Sequence, residues 1–242
     1  MFPGAEAILF DMGGTLVDYP LPSWPAVAVR FARALLTGIV LGEARGLPTA
    51  ASVPPPKAAP SRRARARPDA PLAYRTTMAL RRMIRSVSGS TVPRLGELAT
   101  RPLVAGGRLV PEAPAMLADL RDRGYRLGLV SNTPWGTPDY LWTGQLERFG
   151  LAHLFEVACF SSHVGFRKPD PRIFLTALET LGVPAERALF VGDDPVADIA
   201  GARAAGIPSV WVDRAHRALP DPPPDLRLVR LADLPDYLDD GE

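Results

Sequence analysis

Cysteine, lysine and excess charge are all scarce in this sequence of 242 residues. The single cysteine, Cys159, excludes an intramolecular disulfide and a cysteine-based zinc site, and its apolar neighbours predict a buried small side chain. The formal net charge is only +2. Composition therefore gives no reason to expect a nucleic acid or a membrane surface as a partner.

Targeting and membrane-spanning patterns are also lacking. The first residues do not combine a basic region, an apolar stretch and a small-residue cleavage site, so we expect no signal peptide. The segment nearest to a membrane span, 26–41, is interrupted by Arg30 and Arg33 and falls short of the roughly 18 apolar residues required. We therefore expect a cytoplasmic location by default.

Only two of the 28 basic residues are lysines, Lys57 and Lys168. In a chain that otherwise uses arginine, a retained lysine suggests a place that needs a compact ammonium group. Lys57 lies in a proline-rich stretch, where we expect no special role, so Lys168 is the lysine of interest.

The hydrophobic pattern predicts the α/β class. Residues 7–10 form a short apolar run that ends at a glycine-rich turn, and beyond residue 109 helical patterns alternate with short apolar strands. This alternation predicts a Rossmann-like parallel sheet with helices on both faces. The predicted strands are 126–130, 156–160, 188–191 and 209–212, and the predicted helices are 112–123, 139–149, 171–181, 196–205 and 231–238.

About 95 mostly helical residues separate the first strand from the others, which is too long for a simple crossover. We therefore predict an α/β core made of residues 1–19 and 106–242, with a small α-helical cap inserted at 20–105. Helices are predicted at 23–41, 74–87 and 93–98. Residues 48–71 are rich in proline, alanine and arginine and predict a flexible segment. Its arginines could contact phosphate-rich ligands, but a solvated loop is the preferred interpretation.

Polar residues follow the ends of the predicted strands, where open parallel sheets bind their ligands. They are Asp11, Ser131, Asn132, Asp193 and Asp194. Lys168 lies just before the predicted helix 171–181, and Asp198 lies near the start of the predicted helix 196–205. Clustered carboxylates favour a divalent cation such as Mg²⁺. A carboxylate can attack phosphorus, while a hydroxyl, backbone N–H groups and a lysine hold the phosphoryl oxygens. The set therefore suits phosphoryl transfer.

Four segments resemble, in order, the four motifs of the haloacid dehalogenase (HAD) superfamily. They are FDMGGTLVD, LVSNT, GFRKPDPRIF and VGDDPVADIAGARAAGIP. The resemblance covers residues 5–19 and 107–214 and is closest to the subfamily with a helical cap between the first two motifs. It implies a hydrolase of the same α/β architecture.

The resemblance also implies a role for each polar residue. Asp11 would be the nucleophile and, with the Gly13 carbonyl and Asp193, a ligand of Mg²⁺. Asp194 and Asp198 would support the metal site or orient the lysine. The less favoured alternative for Asp194 is a helix cap.

The phosphoryl group would be bound by Ser131, by the Asn132 backbone and by Lys168, which would also neutralise the nucleophile. Thr15 would stabilise the turn after Asp11. Histidine 163, just before the lysine loop, is expected to be structural or exposed.

Gly13 departs from the superfamily pattern, because most of its phosphatases carry an acid/base aspartate there. General acid–base catalysis typically increases the reaction rate about 10²–10⁴-fold. The absence of the aspartate leaves three possibilities. Another group could replace it, with Asp18, Asp139, His163 or a cap residue as candidates. The substrate could have a good leaving group, or the chain could be slow or inactive.

These observations predict a magnesium-dependent phosphomonoester hydrolase that forms an aspartyl phosphate on Asp11. Its expected partner is a small phosphorylated metabolite. The alternative is a catalytically weakened protein that binds a phosphorylated ligand or protein. A dehalogenase is a weaker alternative, because dehalogenating relatives carry an aromatic residue where this chain has Gly13.

Overall fold

The computed structural model describes residues 2–19, 97, 100–101, 103–134 and 137–238. Six strands form one parallel sheet in the order β5-β4-β1-β6-β7-β8. These strands are β1 (Ala7–Phe10), β4 (Arg126–Ser131), β5 (Val157–Phe160), β6 (Ala188–Gly192), β7 (Ser209–Val212) and β8 (Leu226–Leu228). The first strand therefore lies inside the sheet, between β4 and β6.

Helical elements connect the strands of the described chain. The α-helices are α1 (Ala113–Asp122), α2 (Tyr140–Arg148), α3 (Ser161–Val164), α4 (Pro171–Leu181) and α5 (Gly201–Ala204). A π-helix at Pro195–Ala200 runs directly into α5, and 3₁₀ turns span Ala152–Leu154, Ala185–Arg187 and Leu231–Tyr237. None of the described helices is long and apolar enough to cross a membrane.

Both faces of the sheet are covered by apolar side chains. The side chains of β1 alternate between the faces, as strand geometry requires. Ile8 and Phe10 join a cluster with residues of α1 and of the last 3₁₀ turn, whereas Ala7 and Leu9 join a second cluster with residues of α4. All four are fully buried. The predicted fold class, a parallel Rossmann-like sheet with helices on both faces, is thus confirmed.

A second, two-stranded sheet marks the point where the predicted cap begins and ends. β2 (Val17–Asp18) pairs antiparallel with β3 (Arg108–Leu109). The predicted cap helices 23–41 and 74–87 and the predicted flexible segment 48–71 lie outside the described residues. Glu97, Thr100, Arg101 and residues 103–105 are helical, so described helical residues lie beyond the end of the short helix predicted at 93–98, most of which is outside the described residues.

Several local features differ from the sequence predictions. The helix predicted as one α-helix over 196–205 begins instead as a π-helix, because its first turn is arranged around Asp194 and Asp198. The short strand β8 and helix α3 were not predicted. The predicted final helix is a 3₁₀ turn, with Pro235 inside it.

Candidate active site

The sheet brings the predicted site residues to one edge. Asp11 directly follows β1, Ser131 ends β4, and Asp193 follows β6. Because β1 pairs with both β4 and β6 in parallel register, these residues meet at the carboxyl ends of three adjacent strands. Lys168 reaches the same edge from the loop between α3 and α4.

Lys168 lies at the centre of a buried ion-pair cluster. Its Nζ is 2.5 Å from Asp11 Oδ1 and 2.7 Å from Asp198 Oδ1, and it donates a hydrogen bond of 2.8 Å to the Val130 carbonyl. Burial alone would lower the pKa of Lys168, but the carboxylates of Asp11 and Asp198 outweigh it and raise the pKa. The ammonium group therefore stays charged beside the proposed nucleophile.

Ser131 and Asn132 contact this cluster in different ways. Ser131 Oγ donates to Asp11 Oδ1 at 3.2 Å. The Asn132 side chain accepts from the Lys168 backbone N–H at 2.9 Å and donates to the Lys168 carbonyl at 3.0 Å. The amide of Asn132 thus fixes the lysine loop against the end of β4, while the serine hydroxyl contacts the carboxylate itself.

Three carboxylates form a cluster suited to a divalent cation. Asp11, Asp193 and Asp198 each offer an oxygen, and these oxygens lie within 4.8 Å of one another. Asp198 is already engaged, because its Oδ2 accepts the backbone N–H groups of Asp193 and Asp194 at 3.0 Å each and its Oδ1 faces Lys168. Asp11 and Asp193 are therefore the better candidates for direct metal ligands.

The electrostatics of Asp193 agree with a cation site. Burial first, and then the negative charges of Asp11, Asp198 and Asp194, raise the pKa of Asp193 to about 8. Burial first, and then the Asp11 carboxylate, raise the pKa of Asp198 despite its lysine neighbour. Carboxylates held together in this way are stabilised by a bound cation, which offsets their repulsion.

In the structure Asp194 caps a helix, whereas the Thr15 hydroxyl makes no described hydrogen bond. Asp194 Oδ1 accepts the backbone N–H groups of Val196 and Ala197 at 2.8 and 2.9 Å, so it caps the π-helix. Thr15 Oγ1 is buried and has no hydrogen-bond partner among the described residues. The turn after Asp11 is closed by backbone bonds instead, such as Leu16 N–H to the Met12 carbonyl at 2.9 Å.

Two glycines shape the loop that follows the nucleophile. Gly14 has a φ of +90°, and a Cβ there would lie 2.6 Å from Asp193 Cγ. Only glycine allows the turn to approach Asp193 this closely. A Cβ on Gly13 would instead lie 3.4 Å from Cδ2 of Tyr19, so this aromatic ring borders the space that a side chain at 13 would enter.

The candidates for a replacement acid/base group are engaged elsewhere. Asp18 pairs with Arg214 at 2.9 Å, and His163 Nδ1 lies 3.3 Å from Asp139 Oδ2. All three have exposed side chains, with 59%, 71% and 47% exposure for Asp18, His163 and Asp139. None of them is a described partner of Asp11.

Sequence reasoning missed Tyr19, which lies at the end of β2 beside Gly13. Its hydroxyl is buried without a described hydrogen-bond partner, and its ring packs edge-on against Trp142 with centroids 5.9 Å apart. Burial first, and then the nearby Asp11 carboxylate, raise the pKa of Tyr19. The sequence offered one signal for Tyr19: an aromatic residue directly follows the first motif, and position 13 within that motif is a glycine.

The support of Asp193 was also missed. Its backbone carbonyl accepts from Trp211 Nε1 at 2.9 Å and from Arg217 Nη2 at 2.7 Å. Arg217 and Arg227 both pair with the fully buried carboxylate of Asp213, at 3.0 and 2.6 Å. These contacts join β7 and the segment after it to the loop that follows β6, a long-range pairing that local patterns do not show.

Comparison with known proteins places these features in a family. Residues 5–206 match the model of the haloacid dehalogenase-like hydrolases. The chain is 47% identical over 127 residues to a phosphoserine phosphatase of Thermus thermophilus, covering 52% of this chain and 49% of that protein. It is 42% identical over 126 residues to a phosphoglycolate phosphatase of Rhodospirillum rubrum, covering 52% and 50%. The matched part thus spans about half the length of these curated relatives.

Solved structures show the same fold. A HAD phosphatase from Thermococcus onnurineus superposes with a TM-score of 0.61 at 22% identity, covering 96% of both chains. A 2-haloacid dehalogenase from Pseudomonas syringae gives a TM-score of 0.60 at 23% identity, covering 96% of this chain and 97% of that one. The match over residues 5–206 includes Asp11, Ser131, Lys168, Asp193 and Asp198. The chain belongs to the haloacid dehalogenase-like hydrolase family.

Proposed function

We propose that this chain is a magnesium-dependent phosphomonoester hydrolase with Asp11 as its nucleophile. The observation that best supports this is the environment of Asp11, whose Oδ1 lies 2.5 Å from the Lys168 ammonium and 3.2 Å from the Ser131 hydroxyl. A carboxylate held by a cation and a hydroxyl at the carboxyl edge of a parallel sheet is well placed to attack a bound phosphoryl group.

The reaction would proceed in two displacements. An Asp11 oxygen forms a bond to phosphorus as the ester P–O bond breaks, and the leaving oxygen takes a proton from water to depart as the alcohol. Water then attacks phosphorus, which releases inorganic phosphate and restores the Asp11 carboxylate. Lys168 and Ser131 would offset the charge on the phosphoryl oxygens in both steps.

Asp11, Asp193 and the Gly13 carbonyl would hold Mg²⁺. The donor set fits this ion, because Mg²⁺ prefers oxygen ligands and usually binds through one or two carboxylates. When bound, it would supply positive charge to the phosphoryl oxygens. The Asp198 carboxylate would position Lys168 and the Asp193 loop rather than bind the metal.

The proposed substrate class is a small phosphorylated metabolite. The names of the relatives support it, since the matched proteins include phosphatases of phosphoserine, phosphoglycolate and glyceraldehyde 3-phosphate. We also propose that residues 20–105 form the helical cap and that the cap selects among such substrates.

Phosphate release from a panel of small phosphomonoesters, with Mg²⁺ or with a chelator, tests this function. We expect turnover by the wild type that requires Mg²⁺ and is lost in Asp11→Asn. Gly13→Asp should increase turnover of alkyl phosphates by about 10²-fold or more, because it adds the acid/base group. The backbone of Gly13 does not have a positive φ, so it accepts aspartate.

The alternative, a binding protein with little turnover, is favoured by Gly13 and by the exposed positions of Asp18, Asp139 and His163. It predicts no phosphate release by the wild type and a gain only in Gly13→Asp. Full magnesium-dependent activity in Asp11→Asn would contradict the nucleophile assignment. Halide release from 2-haloacids, independent of metal, would instead favour the dehalogenase.

A further inference from the structure

We infer that the Tyr19 hydroxyl donates a hydrogen bond to the leaving-group oxygen of the substrate, in the place where Gly13 supplies no acid. This inference rests on the proposed phosphatase function. It gives a role to the hydroxyl that the mechanism above leaves unused.

The first line of support is the position of the ring. A Cβ on Gly13 would lie 3.4 Å from Cδ2 and 3.6 Å from Cε2 of Tyr19, so the ring borders the path of any side chain at 13. Tyr19 thus lies next to the place from which a carboxyl group at 13, two residues after Asp11, would act.

The second line of support is the unpaired hydroxyl. Tyr19 OH is buried and lacks a hydrogen-bond partner among the described residues. Buried hydroxyls nearly always have partners, and a native exception calls for an explanation. A phenylalanine would fill the same space without the cost of desolvating a polar group. A substrate oxygen would supply the missing acceptor.

The third line of support is the rigid surrounding of the ring. Trp142 packs edge-on against it, and Trp142 Nε1 donates to Thr137 Oγ1 at 3.1 Å. On the other side, a Cβ on Gly107 would lie only 2.7 Å from Tyr19 Cε1, so glycine is needed there. These contacts fix the direction of the hydroxyl, which a catalytic hydrogen bond requires.

The chemistry is donation without proton transfer. As the P–O bond breaks, negative charge develops on the leaving oxygen, and the neutral phenol stabilises it through a hydrogen bond. The oxygen then takes its proton from water. The benefit is large for an alkyl leaving group, which develops a full alkoxide charge, and small for nitrophenolate, which is already a stable anion.

Leaving-group dependence in the 242-residue chain tests the inference. Wild type and Tyr19→Phe are compared on glycerol 3-phosphate, 2-phosphoglycolate and 4-nitrophenyl phosphate, using kcat/KM because it includes the step in which the leaving group departs. We expect Tyr19→Phe to lose about 10²-fold on the alkyl phosphates. The loss on 4-nitrophenyl phosphate should be below about 3-fold, because that oxygen needs little stabilisation.

Tyr237→Phe is the matched control. Tyr237 is the last residue of the final 3₁₀ turn. In that turn the Pro235 carbonyl accepts a hydrogen bond from Arg123, which follows α1. The turn therefore lies near the edge of the sheet at which β4 begins, away from the site at the carboxyl ends of the strands. This variant removes a hydroxyl remote from the site and should match the wild type on every substrate. The thermal midpoints of all three proteins show whether each variant is folded.

The outcomes are distinguishable. Equal losses on alkyl and aryl substrates, or no loss at all, in a folded Tyr19→Phe would overturn the inference and leave the proposed function intact. Absence of turnover by the wild type on every phosphomonoester would overturn both. A loss confined to the alkyl phosphates would support the inference.

Discussion

At the residue scale, Lys168 forms ion pairs with both buried carboxylates of the cluster, those of Asp11 and Asp198. We expect Lys168→Met to lower kcat by about 10²–10³-fold, because it removes the cation that offsets phosphoryl charge. Lys168→Arg should lose nearly as much. The ammonium is fully buried between Asp11, Asp198 and the Val130 carbonyl, and a planar guanidinium does not fit that geometry.

The control is Lys57→Met, which changes the other lysine of the chain. It should retain wild-type kcat for phosphate release. Near-normal activity in Lys168→Arg would show that any cation suffices, which would contradict the argument from the compact ammonium group.

Asp193 should make the stability of the metal-free protein depend on pH. Its pKa is raised to about 8 by burial and by its acidic neighbours, whereas an unfolded aspartate titrates near 3.9. The folded, metal-free protein therefore binds this proton more tightly than the unfolded chain does, and its stability falls as pH rises from about 4 to 8. Asp193→Asn should raise the thermal midpoint of the metal-free protein at pH 8.

The same substitution should abolish the response to Mg²⁺. In the wild type, the increase in thermal midpoint on adding Mg²⁺ should be larger at pH 8 than at pH 6, because the cation competes with the proton. The exposed Asp119 offers a control, since Asp119→Asn should leave the response unchanged. A Mg²⁺ effect that persists in Asp193→Asn would show that the metal binds elsewhere.

The site residues were mostly predictable because they follow strand ends within short motifs. Asp11, Ser131, Asn132, Lys168 and Asp198 were all predicted, and the structure brings them together. Tyr19 was not, because its role depends on which ring packs over a glycine. Such a contact leaves no periodic pattern in the sequence.

At the scale of elements, the turn after β1 depends on Gly14. We expect Gly14→Ala to remove the stabilisation by Mg²⁺ and most of the phosphatase activity, because its Cβ would displace the Asp193 carboxylate. Gly124→Ala is a matched control. Gly124 has the same φ of +90° but nothing within 4 Å of its Cβ position, so it shares the backbone strain without the contact.

The two glycine variants should lose similar stability, since both force alanine to a positive φ. Only Gly14→Ala should lose the Mg²⁺ response, measured by thermal midpoint with and without the ion. If Gly124→Ala lost it equally, general destabilisation would explain the effect.

Element boundaries in the core were predicted to within one residue for the strands that alternate with helices. Strands 126–130 and 188–191 each gained one residue in the structure, and 209–212 was matched. Strand β8 was not predicted, because it has only three residues, with Arg227 at its centre. So short and polar a segment does not give a recognisable hydrophobic pattern. The π-helix was not predicted, because the spacing of apolar residues does not show that the Asp194 carboxylate accepts the first N–H groups of the helix.

At the scale of the whole molecule, the described residues on either side of the proposed cap lie next to each other. Asp18 pairs with Arg108 across the β2–β3 sheet. We therefore expect a protein in which Asn-Gly replaces residues 20–106 to fold, with one cooperative thermal transition. A modest loss of stability is expected, because Val104 packs into the core.

Phosphate release on the same substrate panel completes this test. If the replaced segment is the cap, discrimination among substrates should decrease while activity on 4-nitrophenyl phosphate persists. Loss of cooperative unfolding would show instead that the core needs residues 20–106 and would contradict the proposed domain division.

The β2–β3 pairing has an entropic consequence for how this architecture varies. Two short strands already bring the ends of the insertion together, so the core does not depend on the insertion for that closure. For a flexible loop, doubling the length costs only about 0.6 kcal/mol in closure entropy. We therefore expect that insertions of very different size and sequence can be exchanged at this one junction while the charged cluster keeps its geometry.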